Sequence, residues 1–214
     1  MPTHLRPALV LFAALTVITG IVYPLALTGF AQAAFPKEAN GSLIIGADHM
    51  AVGSALIGQE FGTSDPATAP TRAGWFWGRP SATAHVPYTA LNLDRGAGST
   101  GSNLAQSSPQ LVQNVRARIA ALNAADAAVG LIRTPESSRV PIDLVMASGS
   151  GLDPHISPAS AEYQIHRVAM ARSMTEDAVR DLVRQHTTLP ALGILGEPVV
   201  NVLRLNVALD ADNH

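Results

Sequence analysis

The sequence predicts an α+β protein: one N-terminal transmembrane helix followed by a single mixed α/β extracytoplasmic domain with a small sheet. Two observations carry this. Residues 8–27 are almost wholly apolar, and no charged residue occurs between Pro7 and Pro36. Beyond that segment, stretches with apolar residues at helical spacing are interspersed with short apolar runs bounded by glycine and proline. The 214 residues suffice for an anchor and one domain with a real core.

The N-terminal segment is read first. About 20 apolar residues span the ~30 Å hydrocarbon core as a helix. Arg6 precedes the segment and Lys37-Glu38 follow it, which votes for the N-terminus inside and the domain outside. The expected division is an anchor over 1–35, spanning about 8–30, and an extracytoplasmic domain over 36–214. Tyr23 is placed like an interfacial aromatic, and Pro24 can kink the helix beside it. The competing reading is a cleaved signal peptide, because Ala31-Gln32-Ala33 has the small-x-small form of a cleavage site. The apolar region exceeds the roughly 7–15 residues usual for a signal peptide, which favours a retained anchor.

Composition removes several function classes. With no cysteine, disulfides, thiolate catalysis, Cys-based metal sites and a lipoprotein anchor are excluded. All acidic residues lie from Glu38 onward and no basic patch suggests nucleic acid.

Pro36 to Gly41 reads as a short linker, and Ser42 to Ile45 and Ala55 to Gln59 as brief strands. Gly62 to Gly74 is a loop. Trp75-Phe76-Trp77 then sets three aromatics before a Gly78-Arg79-Pro80 turn. They either plug the core of a small domain or stack on a partner or the membrane surface. Asp94 to Asn103 is rich in glycine and serine, with Gly98, Ser99, Gly101, Ser102 and Asn103 able to present consecutive N–H groups as an anion nest. It lacks the lysine of a P-loop, and a partner-contacting surface loop is the plainer reading.

Ser107-Ser108-Pro109 starts a helix running to about Ala128, with Leu111, Val112, Val115, Ile119 and Leu122 along its apolar side. Gly130 to Arg139 is a loop. Ser157-Pro158 starts a second helix carrying Ile165, Val168, Ala169 and Arg172. Thr175 caps a third, with Glu176 and Asp177 at its positive end and Val179, Leu182 and Val183 buried. Pro190 to Leu195 is irregular, and Gly196-Glu197-Pro198 is a turn. Val199 to Leu209 alternates in period two and reads as the clearest strand in the chain.

The central stretch Val140 to Ser157 crowds Ser148, Ser150, Asp153 and His155 onto one tight loop. This invites a membrane-tethered periplasmic serine hydrolase using Ser150. A nucleophile elbow needs glycine where Ser148 stands, and triad members normally converge from separate segments. The plainer expectation is that Asp153 and His155 bond the backbone and cap the following helix. His49, His85, His155, His166 and His186 are scattered without ligand spacing, so no metal site is expected. One transmembrane helix cannot enclose an ion-conducting pore by itself. The residues therefore point to a membrane-anchored accessory domain, not an enzyme.

Three runs make this specific: Ala147 to Ser157, Phe76-Trp77-Gly78-Arg79-Pro80-Ser81-Ala82, and Leu195-Gly196-Glu197-Pro198-Val199-Val200-Asn201-Val202. Together they resemble the C subunit of the bacterial high-affinity potassium-transporting P-type ATPase, the Kdp complex. The likeness runs from the apolar segment to Leu209. It implies a single-pass inner-membrane subunit, N-terminus cytoplasmic and main domain periplasmic, that stabilises the assembly. Its implied partners are a potassium-binding pore-like subunit, the ATP-hydrolysing P-type subunit, a small single-helix subunit, and membrane lipid. It further implies a catalytic chaperone raising the ATP affinity of the hydrolysing subunit. No cofactor is bound by this chain alone; ATP and potassium belong to the complex. The Gly98 to Asn103 loop also vaguely resembles an ABC-transporter signature, although Thr100 stands where that run would carry glycine.

Overall fold

A charge-free run of this length has no core of its own to enter, and it forms one continuous helix. In the computed structural model, which describes residues 4–46, 49–83, 87–92, 97–134 and 139–211, the chain divides into two compact units, 1–43 and 44–214. The first unit is dominated by α1 (Leu5–Val17), a π turn (Ile18–Val22) and α2 (Tyr23–Ala34). Together they make a 30-residue helix with exposed apolar side chains along its length. At ~1.5 Å per residue it is roughly 45 Å long, more than a hydrocarbon core requires.

The π turn has a local cause. Pro24 has no N–H, and its ring would press on the carbonyl four residues back. The helix widens just ahead of it, so the Tyr23 N–H reaches Ile18 O, five residues back. Phe35 precedes Pro36, is pushed out of the helical region (φ −137°, ψ 57°), and ends the long helix. The segment expected as a linker instead holds a single turn, α3 (Pro36–Ala39), whose end is tied by Asn40 Nδ2 to Pro36 O at 2.6 Å.

Further along the chain β1 (Leu43–Ile45) pairs with β2 (Ala51–Ser54), and β3 (Leu91–Asn92) pairs antiparallel with β4 (Ala97–Gly98). The strand expected at Ala55 to Gln59 is absent. The strand lies just before it, because Ser54 turns the chain: its hydroxyl accepts from the Leu56 N–H and its carbonyl from the Ile57 N–H.

Next come α4 (Pro109–Ala128), β5 (His155–Ile156), α5 (Pro158–Arg172), α6 (Glu176–Gln185), β6 (Thr187–Thr188), β7 (Val199–Asn201) and α7 (Val202–Ala211). The first three helices start where their capping residues predict. Ser157 accepts from the Ser160 N–H and Thr175 from the Ala178 N–H. A small antiparallel sheet in the order β5-β7-β6 pairs Ile156 with Val200 and Thr187 with Val200.

The long strand expected over Val199 to Leu209 is a correction. Only Val199 to Asn201 is extended, and α7 takes the rest. Asn201 Oδ1 accepts the Arg204 N–H at 3.0 Å, an N-cap geometry. The buried residues Val202, Leu205, Asn206 and Leu209 then follow helical spacing. A period-two reading puts Asn206 on the solvent side, whereas Asn206 is fully buried.

Two cores result. One joins Phe76, Ile165, Val168, Val179, Val200, Leu205 and Leu209, and the other joins Trp77, Ala121, Leu122, Ala125 and Leu144. Consecutive residues of one extended segment point to opposite sides, so Phe76 and Trp77 fill a core each.

Candidate functional site

The aromatic turn is buried at Phe76 and Trp77 and pairs with no strand among the described residues, and side chains take the place of a sheet. Asn206 accepts from the Phe76 N–H and donates to the Phe76 carbonyl, both at 2.9 Å. Gln164 does the same for Trp77, at 2.8 and 3.1 Å. Arg167 donates to the Ala73 and Trp75 carbonyls, Arg172 to Gly74, and Arg118 to Gly78. A buried peptide group left unpaired costs about 1–3 kcal/mol, so this segment depends on its side-chain partners.

Arg118 and Arg167 also face the Trp77 ring, at 4.8 and 4.9 Å. Burial pulls each guanidinium down to about 10, which still leaves both charged at neutral pH. Trp77 and Phe76 are therefore core residues, while Trp75 is partly buried against Phe61 and under Arg172. Stacking of Trp77 on a partner is ruled out by its burial.

From this braced turn, Arg79 emerges half-buried and meets the central loop. Its guanidinium lies 3.4 Å from Asp153 Oδ2 and 3.4 Å from the Ala147 carbonyl. Next along the chain, Ser81 Oγ donates to Gly151 O at 2.7 Å and accepts the Tyr88 N–H. The Tyr88 hydroxyl donates back to the Arg79 carbonyl. Burial pushes that phenol up to about 12.

The glycine-serine loop closes the cluster. Ser99 donates its N–H to Ala90 O and its hydroxyl to Ser150 O, the latter at 2.9 Å. Gly101 lies so close to Gly149 that an added Cβ would sit 3.0 Å from its carbonyl. Gly151, at φ +68°, has Thr100 O and Thr83 at the place of its missing Cβ. Gly98 ends β4, and Ser102 and Asn103 are exposed, Asn103 in the left-handed region at φ 50°. Residues 93–96, which complete the expected nest, lie outside the described residues.

Within the central loop, Ser148 Oγ is buried and accepts the Gly151 N–H. Ser150 Oγ accepts the Leu152 N–H at 3.1 Å. Asp153 Oδ1 accepts the His155 N–H at 3.0 Å and faces His155 Nδ1 at 3.4 Å. Burial works to raise the Asp153 carboxyl, but the hydrogen bonds from His155 and the charge of Arg79 hold it below its ordinary value. His155 Nε2 faces Asn201 at 3.5 Å. With one ring nitrogen toward Asp153 and the other toward Asn201, His155 is not placed as a base for Ser150.

The expected capping of α5 by Asp153 and His155 is corrected. The cap is Ser157 itself, supported by Asp143, whose Oδ2 accepts from the Ser157 N–H and the Ser160 hydroxyl at 2.9 and 3.0 Å. Among the described residues no group of three or more His, Asp or Glu is placed to hold a metal, and His85 lies outside them.

Two adjoining clefts open on this cluster. One of about 150 Å³ is lined by Glu60, Ser64, Arg79, Ser81, Tyr88 and Arg118, and one of about 280 Å³ reaches Ser102, Asn114 and Ala147. Both are small, and their linings mix polar and apolar groups. Sequence reasoning passed over Ser81, Tyr88, Arg118, Gln164, Arg167 and Asn206. A usable signal existed for Gln164 and Arg167, which share the i, i+3 spacing of Ile165 and Val168 and so sit on an apolar face.

Comparison with known proteins covers nearly the whole chain. Residues 5–211 match the family described as K+-transporting ATPase, c chain. The chain is 56% identical over 211 residues to the potassium-transporting ATPase KdpC subunit of Burkholderia vietnamiensis, covering 99% of this chain and 97% of that protein. It is 54% identical to the KdpC subunit of Sorangium cellulosum, covering 98% of each. Against that of Polaromonas naphthalenivorans the identity is 53%, over 99% and 96% of the two chains. With a family match and such identity across nearly every residue, the chain belongs to the KdpC family, the c chain of the K+-transporting ATPase.

Proposed function

We propose that this chain is a non-catalytic, membrane-anchored subunit whose extracytoplasmic domain stabilises a potassium-importing ATPase and raises the ATP affinity of its hydrolysing subunit. The full-length family match carries this reading. The helix Leu5–Ala34 supplies the anchor, N-terminus inside, and the domain from residue 36 onward lies in the periplasm. Its partners are the potassium-binding subunit, the P-type subunit and a small single-helix subunit.

A domain outside the membrane is separated by the bilayer from cytoplasmic ATP. Its effect on nucleotide affinity then passes through partner subunits as a coupling free energy between distant sites. The cluster of Arg79, Ser99, Gly101, Ser102, Ser150 and Asp153 is the contact surface toward the potassium-binding subunit. It joins loops from separate parts of the chain on one face, offers hydroxyls and carbonyls rather than a nucleophile with its base, and is braced from behind by Arg118 and Gln164.

The test uses the Arg79–Asp153 pair. Arg79→Glu or Asp153→Arg alone breaks an internal ion pair, so reduced co-purification would mix folding with docking. The double swap restores a pair of opposite charges inside the domain and inverts the charges shown to a partner. The double variant regains the ion pair but not the Asp153–His155 bonds, so it is expected to unfold at a denaturant concentration above that of either single variant. It should nevertheless retain less of the complex and raise the KM for ATP. Normal assembly together with an unchanged KM would overturn this surface as the contact.

A further inference from the structure

Three arginines brace the aromatic turn, and one of them is a buried cation with no counter-charge. Arg167 has Asp126 at 4.0 Å and Arg172 has Asp210 at 3.0 Å, whereas Arg118 forms no ion pair among the described residues. Arg118 is nevertheless only 5% exposed. Its three bonds all go to backbone carbonyls, of Leu144, Thr63 and Gly78, at 2.9, 2.7 and 2.9 Å. A guanidinium carries five N–H donors, so one on each terminal nitrogen has no protein acceptor among the described residues. Carbonyls satisfy hydrogen bonds but do not neutralise a buried charge.

Arg118 is not sealed in. It lines both clefts that open on the Arg79–Asp153 cluster, with Ser64 beside it in each. Arg79 lines the smaller cleft as a second cation; its contacts to Asp153 and to Ala147 O are both long, at 3.4 Å, and its Nε makes no hydrogen bond. Glu60 also lines that cleft, but it is exposed and pairs with neither arginine. Arg72, bonded to the Glu60 and Gly62 carbonyls, adds a third positive charge nearby, so three guanidiniums stand against the carboxylates of Glu60 and Asp153. At about 150 Å³ the smaller cleft falls below the roughly 300–1,000 Å³ of small-molecule pockets, which suits one inserted side chain rather than a free cofactor.

We propose that the cleft between Arg79 and Arg118 receives an aspartate or glutamate side chain of the subunit that covers this face, whose carboxylate supplies the counter-charge that Arg118 lacks. The proposal rests on the reading of this cluster as a contact surface and adds the chemistry of the partner's group. A planar guanidinium fork matches a carboxylate in shape as well as in charge. Held by three carbonyls, the Arg118 fork also loses little freedom when the carboxylate arrives.

The test acts on Ser64, which is exposed and whose hydroxyl has no hydrogen bond among the described residues. The full chain is tagged, expressed with the other subunits of the potassium ATPase, extracted in detergent and purified through the tag. Ser64→Asp fills the site with a carboxylate of the chain's own, and Ser64→Asn has nearly the same shape without the charge. As the purified chain alone, Ser64→Asp should unfold at a higher denaturant concentration than Ser64→Asn. In the complex it should retain at least about tenfold less of the partner subunits than Ser64→Asn does. Ala67→Asp adds the same charge outside the cleft, in the same loop, and should retain them as wild type does. Equal unfolding midpoints, equal retention by the Asp and Asn variants at position 64, or an equal loss from Ala67→Asp would overturn the carboxylate site. Ser64→Trp, which blocks the cleft without charge, separates this failure from that of the contact surface. Loss with Ser64→Trp beside normal retention with Ser64→Asp would keep the contact and remove the carboxylate. Normal retention with both would overturn the contact at this face, and the proposal with it.

Discussion

At the scale of single residues, one pattern recurs: a polar side chain does work that secondary structure usually does. Asn206 and Gln164 each give a single peptide unit the two bonds a neighbouring strand would have made, and Arg167 and Arg118 take up the carbonyls on either side. Asp153 belongs to the same class, but it is half-exposed and titratable. Because its folded pKa is depressed, ionised Asp153 contributes stability above the ordinary carboxylate value of about 3.9, and this is lost as pH falls through the lower folded value. In denaturant unfolding of the full chain in detergent, wild type should therefore exceed Asp153→Asn at neutral pH. The gap should narrow below about pH 4. Tryptophan fluorescence reads this well, since both tryptophans lie in the aromatic turn. A gap constant from about pH 5 to about pH 2 would show that the Arg79–Asp153–His155 contacts add nothing.

At the scale of elements, the packing of two loops against each other defines the candidate surface. Gly151 is where they come closest. An added Cβ would lie 2.7 Å from Thr100 O and 2.8 Å from Thr83 Cγ2, at a φ of +68°. Left-handed strain alone costs roughly 1–2 kcal/mol for an alanine, and here the neighbouring backbone must also move. Gly151→Ala should destabilise the chain by at least about 2 kcal/mol. Gly149→Ala, with nothing within 4 Å of the added atom, should stay within about 0.5 kcal/mol of wild type. Equal behaviour of the two variants would contradict the loop packing described above. Among helices, α5 and α6 were legible because cap, periodicity and charge placement are local and agree with one another. The C-terminal strand reading failed because Leu203, Leu205, Val207 and Leu209 fit period two as well as part of a helical stripe. The deciding residue, Asn206, carries no apolar signal.

At the scale of the whole molecule, the proposed topology puts the larger unit outside the inner membrane. The cysteine-free sequence makes a direct measurement possible. Thr68→Cys places one thiol at an exposed position of the domain. It should react with a membrane-impermeant maleimide added to intact cells whose outer membrane has been permeabilised. Protection until the inner membrane is opened would put the domain in the cytoplasm. Direct nucleotide contact through the 98–103 loop would then replace indirect coupling as the mechanism.

The sequence by itself determined what local physics can specify. A charge-free run long enough to cross a bilayer, proline beside a widened helical turn, and serine and threonine caps are each settled by residues within a few positions of one another. The family resemblance was legible for the same reason, since it rests on contiguous runs. Only the tertiary structure decided which of those runs meet. Arg79 reaches Asp153 across 74 positions, and Phe76 reaches Asn206 across 130. Such pairs cost loop-closure entropy and form only once the apolar cores have brought the segments together. Their polar members carry no apolar signal of their own, because each is placed by the specific group it must satisfy.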